Sequence, residues 1–248
     1  MLKQTKKLSL IIPAYNESDN IEKTIRAFHT ELKIKNIDHE ILVVNDHSAD
    51  QTEKILKELS LEIIELRYLN NPLANGFGLA IRSGLDNFSG GYVAIVMADL
   101  SDRPEDLVKY YQKIEEGYDC VFGSRFIPGG KTIAYPKFKY YLNRLTNNTI
   151  KLLFGIKYTD TTNAFKLYRR ETIEGLRPFL SNHFNLTVEL PLKAIVRGYS
   201  YAIIPITWSN RKGGESKLKI KEMGSRYFFI ILYCLLEKWL SGEDYKKQ

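Results

Sequence analysis

From residue 8 onward, short apolar runs alternate with stretches in which apolar residues recur every three or four positions, the rhythm of strands and helices in turn. The runs at 8–12, 40–44, 61–68, 92–98 and 120–123 predict five strands. The segments 19–32, 49–59, 76–88 and 104–116 predict helices, and Pro104 suits a first helical turn, where its missing N–H costs little. Strands joined by helices of this length build a mostly parallel sheet. After Arg125 the texture changes. Pro128-Gly129-Gly130 marks a loop, 138–153 reads as a helix rich in aromatics and Asn, 162–168 and 201–206 as extended, and 186–197 as helical. A basic, glycine-containing loop from Arg211 to Lys217 precedes a last helix at about 217–240. With no internal repeat, the pattern implies one α/β domain over 1–217 and a C-terminal helix in 218–248.

Composition changes this picture little. With 248 residues, 44% hydrophobic and 26% charged, the chain can bury one good core. The net charge of +7 favours an anionic partner, whether nucleotide, phospholipid surface or nucleic acid. Nucleic acid is the poorest of these, because no reading motif is present and the basic residues form no single stripe. Cys120 and Cys234 lie far apart, which argues against zinc or a disulfide framework and fits a reducing cytoplasm. The N-terminus carries no h-region of a secretion signal, and no apolar stretch reaches the roughly 18–20 residues of a spanning helix.

Candidate chemistry collects where strands end, because open α/β folds bind ligands in the crevice above their strands. Asp99 follows the run from Tyr92 to Ala98 and could hold a metal. Pro13-Ala14-Tyr15-Asn16-Glu17 admits two readings. Either Pro13 stops the strand and Asn16 or Ser18 caps a helix, or an aromatic ring and a carboxylate clamp a nucleobase. Asn45-Asp46-His47-Ser48-Ala49-Asp50-Gln51-Thr52 holds more polar side chains than capping needs, so Asp46 becomes a candidate for a ribose or base contact. His47, without a metal-spaced partner, reads as a solvated loop histidine. Gly76 and Gly78 suit either a phosphate-cradling turn or plain helix entry, and Arg82 either the surface or a diphosphate contact.

The order of these features resembles that of the family-2 glycosyltransferases of the GT-A fold, and within them the polyprenol-phosphate (dolichol-phosphate) mannosyl- and glucosyltransferase branch. Pro13 to Glu17 matches the family's Pro-x-Tyr-Asn-Glu, Asn45 to Thr52 its Asp-Asp-x-Ser-x-Asp-x-Thr, and Ala98-Asp99 its Asp-x-Asp. Gly123-Ser124-Arg125 matches Gly-Ser-Arg, Asp160 to Lys166 matches Asp-x-x-Ser-Gly-Phe-Arg, and Arg211 to Lys217 matches Arg-x-x-Gly-x-Ser-Lys. The resemblance implies a Rossmann-like, mostly parallel mixed sheet flanked by helices, with residues 1–125 as a nucleotide-sugar half and 126–217 as an acceptor half. It also implies an inverting transfer of a hexose from a nucleotide diphosphate sugar, GDP-mannose or a UDP-sugar, to polyprenyl phosphate.

On that resemblance Pro13, Tyr15, Glu17 and Asp46 hold the nucleoside, with Gly76, Arg82 and Ala98 on the same donor side. Asp99 binds Mg²⁺ or Mn²⁺ bridging the diphosphate, an arrangement that hard cations and oxygen ligands favour. Arg125, Arg144, Arg211 and Lys217 receive the acceptor phosphate, to which guanidinium forks are suited. A lipid phosphate is itself a nucleophile at neutral pH, so cations replace a strong base. Asp160 would orient sugar hydroxyls or the arginines. Glu189, alone in an apolar run, is either paired or in the site; the site, as a catalytic group, is favoured.

Three positions depart from the family pattern. Asn45 replaces the first Asp of the second-strand motif, Met97 the first Asp of Asp-x-Asp, and Ser101 a frequent Gln. One firm carboxylate remains for the metal, with Asp102 and Ser101 nearby, so the cation should arrive largely with the donor. The last helix groups Tyr227 to Tyr233 between basic residues, as either a packed core helix or dimer seam, or an anchor on the inner face of a membrane. Two other functions compete: a family-2 enzyme acting on a saccharide or protein acceptor, and a non-catalytic nucleotide-sugar or acidic-lipid binder.

Overall fold

Every residue of β1 (Leu8–Ala14) and of β2 (His39–Asn45) is buried, as fits strands covered on both faces. The computed structural model describes residues 5–210 and 220–247. The chain continues through α1 (Ile21–Ile34), α2 (Thr52–Glu62), β3 (Leu66–Asn70), α3 (Phe77–Asn87), β4 (Tyr92–Ile95), α4 (Pro104–Glu115) and β5 (Cys120–Ser124). Then follow β6 (Lys131–Ile133), α5 (Lys137–Phe154), β7 (Lys166–Arg169), α6 (Arg170–Gly175), α7 (Leu186–Val196), β8 (Tyr201–Pro205), β9 (Thr207–Ser209) and α8 (Ile220–Leu240).

Seven strands form one sheet in the order β3-β2-β1-β4-β7-β5-β8. All neighbours are parallel except β7, which runs antiparallel between β4 and β5. The expected mixed α/β sheet is therefore present. Alternation along each strand splits the core into two layers. Leu8, Leu10, Ile12, Ile41 and Val43 face α1, α2 and α4, while Ile11, Leu42 and Val44 face α3 and the C-terminal helices. β6 and β9 make a small separate parallel sheet that the apolar pattern did not predict, because three-residue strands carry too little periodicity.

Several boundaries differ from expectation. The third strand does not begin at Leu61, which lies on α2 with its side chain in solvent; pairing with β2 starts only at Leu66. β4 ends at Ile95 rather than Ala98, and only the last part of 162–168 is a strand. Pro13 does not stop β1, which runs on to Ala14.

α8 is not a detached element. Ile230, Cys234 and Leu235 join the second core layer, and Glu237 pairs with the buried Arg197, at 2.7 and 3.0 Å. The same helix leaves Phe228, Phe229, Leu232, Leu236, Trp239 and Leu240 exposed on its other side. It is thus apolar on both faces rather than simply amphipathic.

Candidate active site

Pro13 opens the crevice. It has no N–H to donate, and the β1–β4 pairing ends at Ile11 and Ile95, with Val96 N donating once more to Ile11 O at 3.0 Å. The chain from 96 to 99 is thereby released into a turn, so Asp99 stands four residues beyond the strand instead of at its tip. Thr24 Oγ1 holds that turn through the Ala98 carbonyl at 2.8 Å.

The loops after β1 and β2 are sewn together by their motif residues. Asn16 N donates to Ser48 Oγ, Glu17 N to Thr52 Oγ1 and Ser18 N to Asp50 Oδ2, all at 2.9–3.0 Å, and Ala49 N returns a bond to Asn16 Oδ1 at 2.7 Å. Burial would raise the Asp50 carboxyl, but hydrogen bonds from Thr52 and Ser18 outweigh it and hold it at about 2. Capping-type residues are thus spent on fixing the loop that presents Tyr15, whose ring is exposed, and Glu17, which is buried.

Asp46 organises the next loop. Its carboxylate accepts Asn71 Nδ2 at 2.7 Å, Gly76 N at 2.9 Å and Asn75 Nδ2 at 3.2 Å. His47 joins the same loop through the Leu73 carbonyl at 2.8 Å, so it is bonded as well as exposed. The glycines at the start of α3 have a packing role. Gly76 N is occupied by Asp46, and a Cβ on Gly78 would stand 2.6–2.7 Å from the backbone of Asn182 and His183. The glycines let the 180–185 segment close over the start of α3, where Leu79 N meets the Asn182 carbonyl and Phe77 stacks on Phe184 at 4.0 Å. Arg82 reaches this segment too, donating to Asn182 Oδ1 at 2.8 Å.

Asp99 accepts Ser101 N at 3.1 Å, and Asp102 Oδ2 accepts Met97 N at 3.3 Å. Asp102 is almost wholly buried; burial and the charge of Asp99 push its carboxyl up to about 7, against the opposing pull of Arg125. Asp102, buried beside the charge of Asp99, offers oxygen ligands of the kind that hard divalent cations take. Among the described residues no group of three or more His, Cys, Asp or Glu side chains gathers to hold one. Two protein carboxylates with ligands from a bound diphosphate fit the donor set. β9 closes the turn from outside, Ser209 N donating to Ser101 O at 3.0 Å. Arg211 and Lys217, expected at the acceptor phosphate, lie outside the described residues.

Across the crevice, Arg125 and Asp160 form a buried fork. Asp160 Oδ1 takes Arg125 Nη2 at 2.6 Å, and Oδ2 takes both Nε and the backbone N at 2.9 Å. Burial would strip the guanidinium of its proton, but Asp160 raises its pKa above the ordinary value. Arg125 also stands over Phe126, Tyr135 and Trp208 at 5.2–5.9 Å. Arg144, from α5, covers the same Phe126 ring at 4.4 Å and donates to Thr159 O and Asn148 Oδ1. The structure therefore brings Arg125 and Arg144, which the family resemblance groups, to one ring. Lys166 supports this corner from below, its Nζ donating to the carbonyls of Thr161, Asn163 and Thr187.

Glu189 shows the pairing that the sequence left as one of two readings. It lies fully buried with Lys193 at 2.7 Å, and its two oxygens accept Leu180 N at 2.8 Å and Ser181 N at 2.7 Å. Of the two sequence readings the pairing holds, because an uncompensated carboxylate cannot be buried. It anchors the 180–185 segment and offers no free base.

The family profile of glycosyl transferase family 2 matches residues 9–177, the stretch containing the donor loops and the Arg125–Asp160 pair. The chain belongs to glycosyltransferase family 2. It is 31% identical over 224 residues to a polyprenol monophosphomannose synthase of Mycolicibacterium smegmatis, covering 88% of this chain and 83% of that protein. It is also 31% identical over 220 residues to a dolichol-phosphate mannosyltransferase of Pyrococcus furiosus, covering 87% of this chain but only 60% of the relative. The fold matches solved structures of glucosyl-3-phosphoglycerate synthase from Mycobacterium tuberculosis, including one with Mn²⁺, UDP and product bound, with a TM-score of 0.69 at 18% identity over 94% of this chain and 79% of that one. That likeness gives the GT-A fold expected from the motif order.

Proposed function

We propose that this family-2 enzyme transfers a hexose from a nucleotide diphosphate sugar to polyprenyl phosphate with inversion. The observation that carries the reading is the acceptor side: Arg125 and Arg144 meet at Phe126, while two carboxylates singled out by the sequence, Asp160 and Glu189, are both committed to buried ion pairs. Such a site suits an acceptor that brings its own negative charge and needs cations more than a base. The names of the relatives, a polyprenol monophosphomannose synthase and a dolichol-phosphate mannosyltransferase, support this acceptor class, and a mannose donor before a glucose one.

Tyr15 and Glu17 would flank the base, with Asp46 holding the loop beside it. Asp99 and Asp102 would hold Mg²⁺ or Mn²⁺, whose chemistry there is to neutralise the departing nucleoside diphosphate. Arg125, fixed in direction by Asp160, and Arg144 would hold the acceptor phosphate so that one of its oxygens faces the anomeric carbon. The nucleophile forms the new C–O bond as the donor's C–O bond to the diphosphate breaks. The phosphate needs no deprotonation, so no protein group has to accept a proton.

The test is turnover of GDP-mannose, UDP-glucose and related donors with polyprenyl phosphate, against saccharide and peptide acceptors, each with and without Mn²⁺. Transfer to the lipid phosphate alone supports the proposal; transfer only to the other acceptors overturns it, and no transfer with intact donor binding favours a binding protein. Glu189→Gln should lose about 3 kcal/mol in urea denaturation, because Lys193 loses its buried partner. The folded variant should keep kcat near wild type, whereas loss of a general base would cost about 10²–10⁴-fold.

Asp102 predicts the pH response. Its folded-state pKa lies above the ordinary value of 3.8, at about 7, so the metal-free fold binds the extra proton and loses this stabilisation as pH rises from about 4 to 7. A cation competes with that proton. Affinity for Mn²⁺ with donor present, read by calorimetry, should therefore fall below about pH 7, where binding releases one proton from Asp102, and Asp102→Asn should flatten that dependence.

A further inference from the structure

The loop between α5 and β7 is held from two sides. From α5, the buried Asn147 accepts the Thr161 hydroxyl at 2.6 Å and the Thr162 N–H at 3.4 Å on its Oδ1, while its Nδ2 donates to Thr162 Oγ1 at 3.0 Å. Asn143, one turn earlier on the same side of the helix, donates to that hydroxyl at 2.7 Å. From β7, the buried Lys166 folds back, its Nζ donating to the carbonyls of Thr161 and Asn163 in the loop and of Thr187 at the start of α7. Three carbonyls use all three N–H groups of an ammonium. A charge buried on backbone groups is costly, so its use lies in what that backbone holds.

Both guanidiniums on the acceptor side take their place from this loop. Thr159 gives its carbonyl to Arg144 Nη1 at 3.2 Å, and Asp160 gives both carboxylate oxygens to the Arg125 side chain, at 2.6 and 2.9 Å. The loop closes on itself where Asn163 N donates to the Asp160 carbonyl at 3.1 Å. A shift of the loop against α5 or β7 therefore moves Arg125 and Arg144 relative to each other. We infer that Asn147 and Lys166 are positioning residues that lock the 159–163 loop and thereby set the spacing at which Arg125 and Arg144 receive one phosphate. Each acts through Thr159 and Asp160 rather than by touching the acceptor.

The geometry makes spacing matter. A guanidinium donates along fixed fork directions, so displacing one of a pair by about 1 Å costs a shared phosphate about ten-fold or more in productive binding. The donor loops are fastened by separate bonds, Asp46 to Asn71 and Gly76 and Asp99 to Ser101, so the effect falls on the acceptor. The inference rests on the proposed lipid-phosphate acceptor.

Steady-state turnover of a short, water-soluble prenyl phosphate with nucleotide sugar and Mn²⁺ separates positioning from folding. Lys166→Met and Asn147→Leu, each checked for folding by circular dichroism, should raise KM for the prenyl phosphate about ten-fold and leave KM for the nucleotide sugar within about two-fold of wild type. The double variant should cost clearly less than the product of the two, because both act through one loop. Thr162→Val removes only the half-buried hydroxyl that Asn143 and Asn147 share. It should fold as wild type does and raise the acceptor KM about three-fold, so it carries the test if the buried variants do not fold. An unchanged acceptor KM in the folded variants, or equal rises in both KM values, overturns the inference and leaves a network that serves stability alone. Fully multiplicative effects in the double variant overturn the shared loop. Wild type that uses prenyl phosphate, with variants that match it, removes the inference and leaves the acceptor reading standing; wild type that transfers only to saccharides or peptides removes both.

Discussion

Asp160→Asn is expected to destabilise the fold by about 3–5 kcal/mol, measured by urea denaturation, because it leaves the buried Arg125 guanidinium without its counter-charge. The amide keeps the shape of the side chain but offers one acceptor oxygen where the carboxylate receives Nε, Nη2 and the backbone N of Arg125. Activity should fall further than stability explains. Where the variant is folded, at low temperature or in stabilising osmolyte, kcat/KM for lipid phosphate should still be down about 10²-fold, since a misaimed Arg125 no longer orients the phosphate. Arg125→Met/Asp160→Leu, which removes both charges, should regain much of the stability and none of the activity. A cost below 1 kcal/mol for Asp160→Asn would show that Arg125 finds another partner and that the fork does not set its direction.

Asp99→Ala acts on the donor side, with stability nearly unchanged because the residue is half-buried in a turn rather than in the core. Its expected effect is loss of cation-linked donor binding. The rise in Tm that nucleotide sugar and Mn²⁺ together give wild type should disappear, as linkage requires when the liganded state is no longer favoured. Turnover should drop by about 10²–10³-fold, the scale for removing one element of transition-state charge stabilisation. With Met97 where a second family carboxylate would stand, Asp102 is the remaining support, so Met97→Asp in the wild-type background should tighten Mn²⁺ binding before donor is added. Equal thermal responses of wild type and Asp99→Ala would remove the metal role.

Much of the donor half was legible because its signals are local. Apolar runs mark β1, β2, β4 and β5, and the motif residues that follow them sit in adjoining loops as a parallel sheet requires. Even so, the sequence suggested direct ligand roles for side chains that the structure uses partly as scaffolding. Asp46 is bound to Asn71, Asn75 and Gly76, and Gly78 makes room for the backbone of Asn182 and His183, more than a hundred residues away. A glycine required by a distant chain looks the same in sequence as one required by a phosphate.

The sequence by itself determined the α/β class, the family and the set of polar residues gathered above the sheet, because periodicity and motif order are properties of neighbours along the chain. Tertiary structure decided which carboxylates are free to act. Asp160 meets Arg125 only on folding, whereas Glu189 has Lys193 one helical turn away; in both cases it is burial that turns the meeting into a fixed ion pair. It also decided that α5 and α8 are apolar on two sides. One-dimensional patterning records that a residue is apolar, but only packing settles whether the core has covered it or left it facing out.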